Sequence, residues 1–173
     1  MRGVEHVLLI GFMGSGKSTV GRLVADRLGR PFVDLDREIE RNEGRDIAGI
    51  FAQKGEGAFR AAESDAVRSL TSLEPSVVGC GGGVVLDDGN RATLKRSGTV
   101  VYLQVSAHEA LARIGHADDR PLLAGAGPGA AVALLRSREA LYEVTADITV
   151  PTEQRTPEQV ADEVVERLAG EQA

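Results

Sequence analysis

The chain has a single cysteine, no tryptophan, and only four phenylalanines and two tyrosines among its 173 residues. One cysteine, Cys80, cannot make an internal disulfide, and the reading is a small buried side chain in a protein of a reducing, cytoplasmic setting. So few aromatic rings leave no stacking platform for single-stranded nucleic acid. Positive charge is also short, with 20 Lys and Arg against 26 Asp and Glu for a net charge of −6. That balance argues against general binding to nucleic acid or to an anionic membrane, so an anionic ligand has to be met by a few locally placed cations. No apolar run approaches the ~20 residues of a membrane helix. The run Val7 to Ile10 follows Glu5 and His6 and stops at glycine, which excludes a signal peptide. Repeats of roughly 20 to 50 residues are absent, which removes solenoids. His6, His108 and His116 show no metal-like spacing and read as surface or packing residues.

What is present fits one domain with one core. Val7 to Ile10 reads as a strand covered on both faces, ending at Gly11. Val20, Leu23, Val24 and Leu28 repeat at helical spacing until Gly29 and Pro31. Phe32 and Val33 open a second strand that continues through Asp34, Leu35 and Asp36, followed by a helix from Arg37 to Asn42. Asp46 caps a helix over Ile47 to Lys54, and another is expected from Phe59 to Leu70. Ser76 to Gly79 leads into Gly81, Gly82 and Gly83, a second strand-to-glycine junction. A short helix over Asn90 to Arg96, a strand over Thr99 to Val105 and a helix over Ala107 to Ile114 follow. Gly115 to Gly129 reads as a long loop and a candidate lid. A helix over Ala130 to Val144, a strand over Asp147 to Val150 and a helix opened by a Thr156/Gln159 capping box complete the chain. Strands alternating with helices predict an α/β fold with a mostly parallel sheet, its ligand at the carboxyl ends of the strands.

Gly11 to Thr19 matches the phosphate-binding pattern G-x-x-x-x-G-K-[ST] between a strand and a helix. Backbone N–H groups freed by the glycines curl around phosphate oxygens, Lys17 reaches the β and γ phosphates, and the Ser18 hydroxyl can ligate Mg²⁺. Asp34 and Asp36, two apart, would share one face of an extended strand and so reach one cleft. Read alone, the pair is equally a solvated turn or a helix cap. Arg60 and Glu63, three apart on a helix, would ordinarily be surface decoration. Arg113, Arg136, Arg138 and Arg155 carry no signal singly, whereas Arg120 sits inside the expected lid before Pro121, Leu122 and Leu123.

Taken in order, the phosphate loop, Asp34-Leu35-Asp36, Phe59-Arg60 with Glu63, the glycine triplet, Arg120-Pro121-Leu122-Leu123, and Arg138 with Leu141-Tyr142 resemble the shikimate kinases over nearly the whole chain. The resemblance implies a three-layer α/β/α fold of the nucleoside monophosphate kinase kind, with a five-stranded parallel sheet in order 2-3-1-4-5. It implies one P-loop kinase domain over residues 1–173, with a substrate-binding helical segment at about 34–63 and a lid at about 115–129. ATP would lie on Gly14, Ser15, Gly16, Lys17, Ser18 and Thr19, with Arg113 and Arg155 flanking adenine and Arg120 closing from the lid. Ser18 and, through water, Asp34 would hold Mg²⁺. Asp36 would grip substrate hydroxyls, Arg60 and Arg138 the carboxylate with Glu63 orienting Arg60, and Phe51 and Phe59 would wall the pocket. Gly81, Gly82 and Gly83 would let substrate approach the backbone. Lys17, Asp36 and Arg120 would be the catalytic residues.

The implied activity is transfer of phosphate from ATP to the 3-hydroxyl of shikimate by a monomeric enzyme without nucleic-acid or membrane partners. Two departures stand out: Cys80 where relatives often carry a hydroxyl, and Glu139-Ala140 before Leu141 where a proline is usual. A kinase for another anionic polyol such as gluconate would use the same groups. A nucleotide-dependent switch is the rival from another class, but the guanine-reading N-K-x-D pattern is absent, and the D-x-x-G match at Asp46 to Gly49 falls in a helical pattern.

Overall fold

The structure, a computed structural model, describes residues 5–114, 122 and 127–171. Five parallel strands carry the molecule: β1 (His6–Ile10), β2 (Phe32–Asp34), β3 (Val77–Gly79), β4 (Gly98–Gln104) and β5 (Ile148–Pro151), in the order β2-β3-β1-β4-β5. Strand β1 is central and every residue of it is buried, as its unbroken apolar run requires. Its alternation splits the core in two. Leu8 and Ile10 join Val100 and Tyr102 of β4 on one face, while Val7 and Leu9 join Val101 and Leu103 on the other.

The second face is covered by α1 (Lys17–Leu28) and α8 (Pro157–Glu171), which bring Val20, Val24, Val160, Val164 and Leu168 onto it. The first is covered by α2 (Leu35–Glu43), α3 (Ile47–Lys54), α4 (Glu56–Ser69), α5 (Asp88–Ser97), α6 (Ala107–Ile114) and α7 (Pro128–Thr145), whose apolar residues form the larger cluster. The result is the three-layer α/β/α arrangement with the strand order expected. Helix α8 opens on the anticipated capping box: the Thr156 amide donates to Gln159 Oε1 at 2.9 Å, and the Gln159 amide to Thr156 Oγ1 at 3.2 Å.

Several boundaries differ from the sequence reading. Strand β2 ends at Asp34 rather than running to Asp36, because the Asp34 side chain accepts from the amides of Asp36 and Arg37 and starts α2 at Leu35. Helix α4 begins at Glu56, three residues before the apolar periodicity shows it. Helix α7 begins at Pro128, a residue suited to the first helical turn. The expected lid, apart from Leu122 and residues 127–129, and with it Arg120, lies outside the described residues.

Buried His6 is a packing residue on the β1 edge of the core. Its Nδ1 accepts from the Ser76 amide at 3.1 Å, and its Nε2 lies 2.9 Å from the Leu70 carbonyl. Those two bonds fix a neutral tautomer with the proton on Nε2.

Candidate active site

Helix α1 starts without a side-chain cap and without an acidic residue in its first turn. Its free amides and positive dipole end therefore face the cleft, where an anion is the natural partner. The loop leading to it turns on Gly14 and Gly16, with φ of 77° and 94°, which lets successive N–H groups converge. The buried Ser15 hydroxyl finds no hydrogen-bond partner among the described residues. Lys17 Nζ donates across the loop to the carbonyls of Gly11 at 2.7 Å and Phe12 at 2.9 Å, so the ammonium is held over the phosphate cradle. Ser18 Oγ donates to Asp34 Oδ2 at 3.1 Å, joining the first turn of α1 to the end of β2.

Gly14, Gly16, Lys17, Ser18 and Asp34 line a cleft of about 520 Å³ that also takes in Thr19, Asp36, Gly81 and Gly82, while Ser15 lies buried behind it. Asp34 and Asp36 both reach it, but not as strand neighbours. Asp34 is the cap of α2, and Asp36 is the second residue of the helix, with its carboxylate over Gly81.

An inner chamber of about 80 Å³ adjoins the cleft and shares Asp36, Gly81 and Gly82 with it. Phe51 and Phe59 form its apolar wall, with ring centroids 5.0 Å apart. Arg60, Glu63, Gly83 and Arg138 supply its polar side, and Met13, Ile47 and Leu122, to which the sequence assigned no part in the pocket, complete the lining. Arg60 is held from two directions: it donates to Glu63 Oε1 at 2.9 Å and to Glu56 Oε1 at 3.3 Å, with its guanidinium 5.1 Å from the centre of the Phe59 ring. Glu56 went unnoticed because a Glu at the first position of a helix is so common that its type carries no signal.

The glycine triplet explains how four charged side chains fit around so small a space. A Cβ on Gly81 would stand 2.9 Å from both Asp36 Oδ1 and Glu63 Oε2, and one on Gly82 would stand 3.4 Å from Arg138 Nη1. One on Gly83 would come within 2.6 Å of the Arg60 guanidinium carbon. The protein's own charges therefore occupy the room the glycines make, whereas the sequence suggested substrate alone. Arg138 is 2% exposed, and neither its Nε nor Oε2 of buried Glu63 has a hydrogen-bond partner among the described residues. Burial raises the Glu63 carboxyl above its ordinary range, Arg60 acts against that shift, and Asp36 adds to it. Burial likewise raises the Cys80 thiol, so Cys80 stays protonated and inert.

The two arginines expected near adenine lie elsewhere than on the cleft lining. Arg113 ties α6 to the phosphate loop, donating to the Gly14 carbonyl at 3.3 Å and to the Thr152 carbonyl at 2.9 Å, with an ion pair to Glu109. Arg155 donates to the carbonyls of Pro151 and Gln159 and pairs with Glu163 at 2.7 Å, clasping the start of α8. A wider groove of about 880 Å³ runs along α8, but its charges are already matched, Glu163 pairing with both Arg155 and Arg167, so size alone does not mark chemistry there.

A phosphate loop at the end of β1, beside a small chamber that offers two arginines and two carboxylates, defines a P-loop phosphotransferase acting on a small acceptor. Residues 13–169 match the shikimate kinase family. The shikimate kinase of Chromohalobacter salexigens is 42% identical over 168 residues, covering 96% of this chain and 93% of that protein. That of Thermobifida fusca is 43% identical over 161 residues, covering 93% of each. The structure of the shikimate kinase of Acinetobacter baumannii in complex with shikimate superposes with a TM-score of 0.93 at 37% identity, covering 98% of this chain and 96% of that one. The chain belongs to the shikimate kinase family, whose members use ATP. A gluconokinase from Sinorhizobium meliloti, at 21% identity and a TM-score of 0.61, shares the fold alone.

Proposed function

We propose that the two adjoining chambers bind ATP and shikimate side by side, and that the chain transfers the γ-phosphate of ATP to the shikimate 3-hydroxyl, giving shikimate 3-phosphate and ADP. The observation that carries this reading is the convergence of Arg60, Arg138, Asp36 and the glycine triplet on one chamber beside the phosphate loop. Two guanidinium groups match one carboxylate in charge and geometry, and Asp36 is placed to accept hydrogen bonds from ring hydroxyls.

Phosphoryl transfer has a loose, highly charged transition state, so positioning and electrostatics dominate. The loop amides and Lys17 receive the charge on the β and γ phosphates. Asp36 orients the 3-hydroxyl and accepts its proton as the oxygen–phosphorus bond forms. Ser18 and Asp34 fit a hydrated Mg²⁺: their oxygens lie 3.1 Å apart at the mouth of the loop, and no cluster of three metal-ligating side chains occurs among the described residues, as suits an ion held chiefly by nucleotide and water. When bound, Mg²⁺ neutralises phosphate charge during transfer. Arg120, which lies outside the described residues, is the further cation assigned to the transferring phosphate, and residues 34–63 act as the substrate-binding segment of one P-loop kinase domain. Arg113 and Arg155, which brace the connection from β5 to α8, border the adenine. The enzyme works as a monomer in the cytoplasm, a setting that the single cysteine suits. ADP release measured with shikimate, with gluconate and with no acceptor tests the reading: turnover is expected with shikimate only, and equal release without acceptor would mean a nucleotide hydrolase.

A further inference from the structure

Tyr142 has no role in the assignment above, yet it is the most tightly engaged side chain behind the inner chamber. It is fully buried in α7, and its hydroxyl donates to the Gly82 carbonyl at 2.5 Å, across 60 residues of sequence. Arg138 lies one turn earlier on the same helix face, and its charge acts on the phenol. Arg138 in turn lies against Gly82, close enough that a Cβ there would meet Nη1 at 3.4 Å. Phenol and guanidinium thus meet at the same glycine, and the ring is fixed from behind by stacking on Tyr102, 5.0 Å between centroids. The proline that usually precedes Leu141 is not needed for this arrangement, because the four-residue spacing from Arg138 to Tyr142 already sets the geometry within an unbroken helix.

We infer that Tyr142 is a positioning residue for carboxylate recognition, its phenol holding Arg138 and the Gly82 backbone in the one arrangement that receives the substrate. The inference rests on the reading of the inner chamber as the shikimate site. Burial raises the phenol to about 12, so it stays a donor across the working pH range. Removing the hydroxyl leaves the buried Gly82 carbonyl without its donor, and it can relax only by moving the backbone against which Arg138 lies. A purely structural role predicts something different, namely lower stability with unchanged kinetics.

The test is Tyr142→Phe in the full chain, with Val164→Ala, in the core cluster on the other face of the sheet, as a control for lost stability. Tyr142→Phe is expected to raise KM for shikimate roughly tenfold, with KM for ATP unchanged and kcat within about threefold. Val164→Ala should lower Tm and leave every kinetic constant alone. A Tyr142→Phe enzyme with a lowered Tm and unaltered KM for shikimate would overturn the inference. The chain holds only two tyrosines, so 3-fluorotyrosine labelling of the otherwise unaltered protein gives a second readout that survives a variant that fails to fold. The Tyr142 resonance, assigned with Tyr102→Phe, should move on saturation with shikimate, and a fixed resonance would equally overturn the inference. Failure of the unaltered enzyme to bind shikimate at all would instead remove the reading of the chamber itself.

Discussion

Replacing Gly83 with alanine should cripple shikimate binding without unfolding the protein. The backbone at Gly83, with φ of −99° and ψ of 7°, is open to any residue, so no conformational strain accompanies the change. The added methyl, however, would lie 2.6 Å from the Arg60 guanidinium carbon. Ordinary carbon–carbon contact begins near 3.5 Å, so the guanidinium has to retreat by about 1 Å. Arg60 is a flexible side chain, 23% exposed, and can do so; the retreat strains its bond to Glu63 and spoils the paired hydrogen bonds to the carboxylate. A displacement of that size at a binding group costs on the order of 10- to 100-fold in affinity, whereas stability should change by no more than about 1 kcal/mol. Calorimetric titration with shikimate and then with an ATP analogue, alongside a thermal melt, reads all three quantities. Wild-type shikimate affinity in a folded Gly83→Ala protein would refute the claim that the glycine exists to seat Arg60.

Lys17→Ala should lower kcat by at least about 1,000-fold, as loss of a transition-state charge does, with Tm nearly unchanged; single-turnover kinetics and a melt check both. Asp34→Asn keeps an acceptor for the amides of Asp36 and Arg37 but loses the charge facing Ser18, so the Mg²⁺ concentration for half-maximal rate should rise several-fold while α2 stays capped. Asp36→Asn should abolish phosphorylation and leave nucleotide affinity intact, and a matching Mg²⁺ shift in the two variants would contradict the division of roles. Glu63 sets a pH dependence. Its folded-state value is raised above 4.5, so between 4.5 and that raised value the folded protein binds more protons than the unfolded one. Stability should therefore fall as pH rises through that window, and Glu63→Gln should flatten the fall; thermal melts across the pH range decide.

The fold was legible because its signals are local. The apolar run of β1, the Thr156/Gln159 box and the strand–loop–helix setting of the phosphate motif each depend on neighbours in sequence, and the strand order came from the family resemblance. The boundary at Asp34 was misread because period-2 spacing of two aspartates looks the same on a strand and at a helix start. Only the amides of Asp36 and Arg37, turned back onto the Asp34 side chain, distinguish them. Within the site, residues of distinctive type were found from sequence. Those whose contribution is a contact were not: Glu56 matters through its bond to Arg60, and Tyr142 through a carbonyl 60 residues away.

The central claim, that Arg60 and Arg138 clamp the substrate carboxylate, is tested most directly by titrating the unaltered enzyme with shikimate and with its neutral carboxamide. Two charge-assisted pairings in a buried setting predict a preference for the acid on the order of 100-fold, reduced in both Arg60→Ala and Arg138→Ala. Equal affinity of the unaltered enzyme for acid and amide would contradict the clamp.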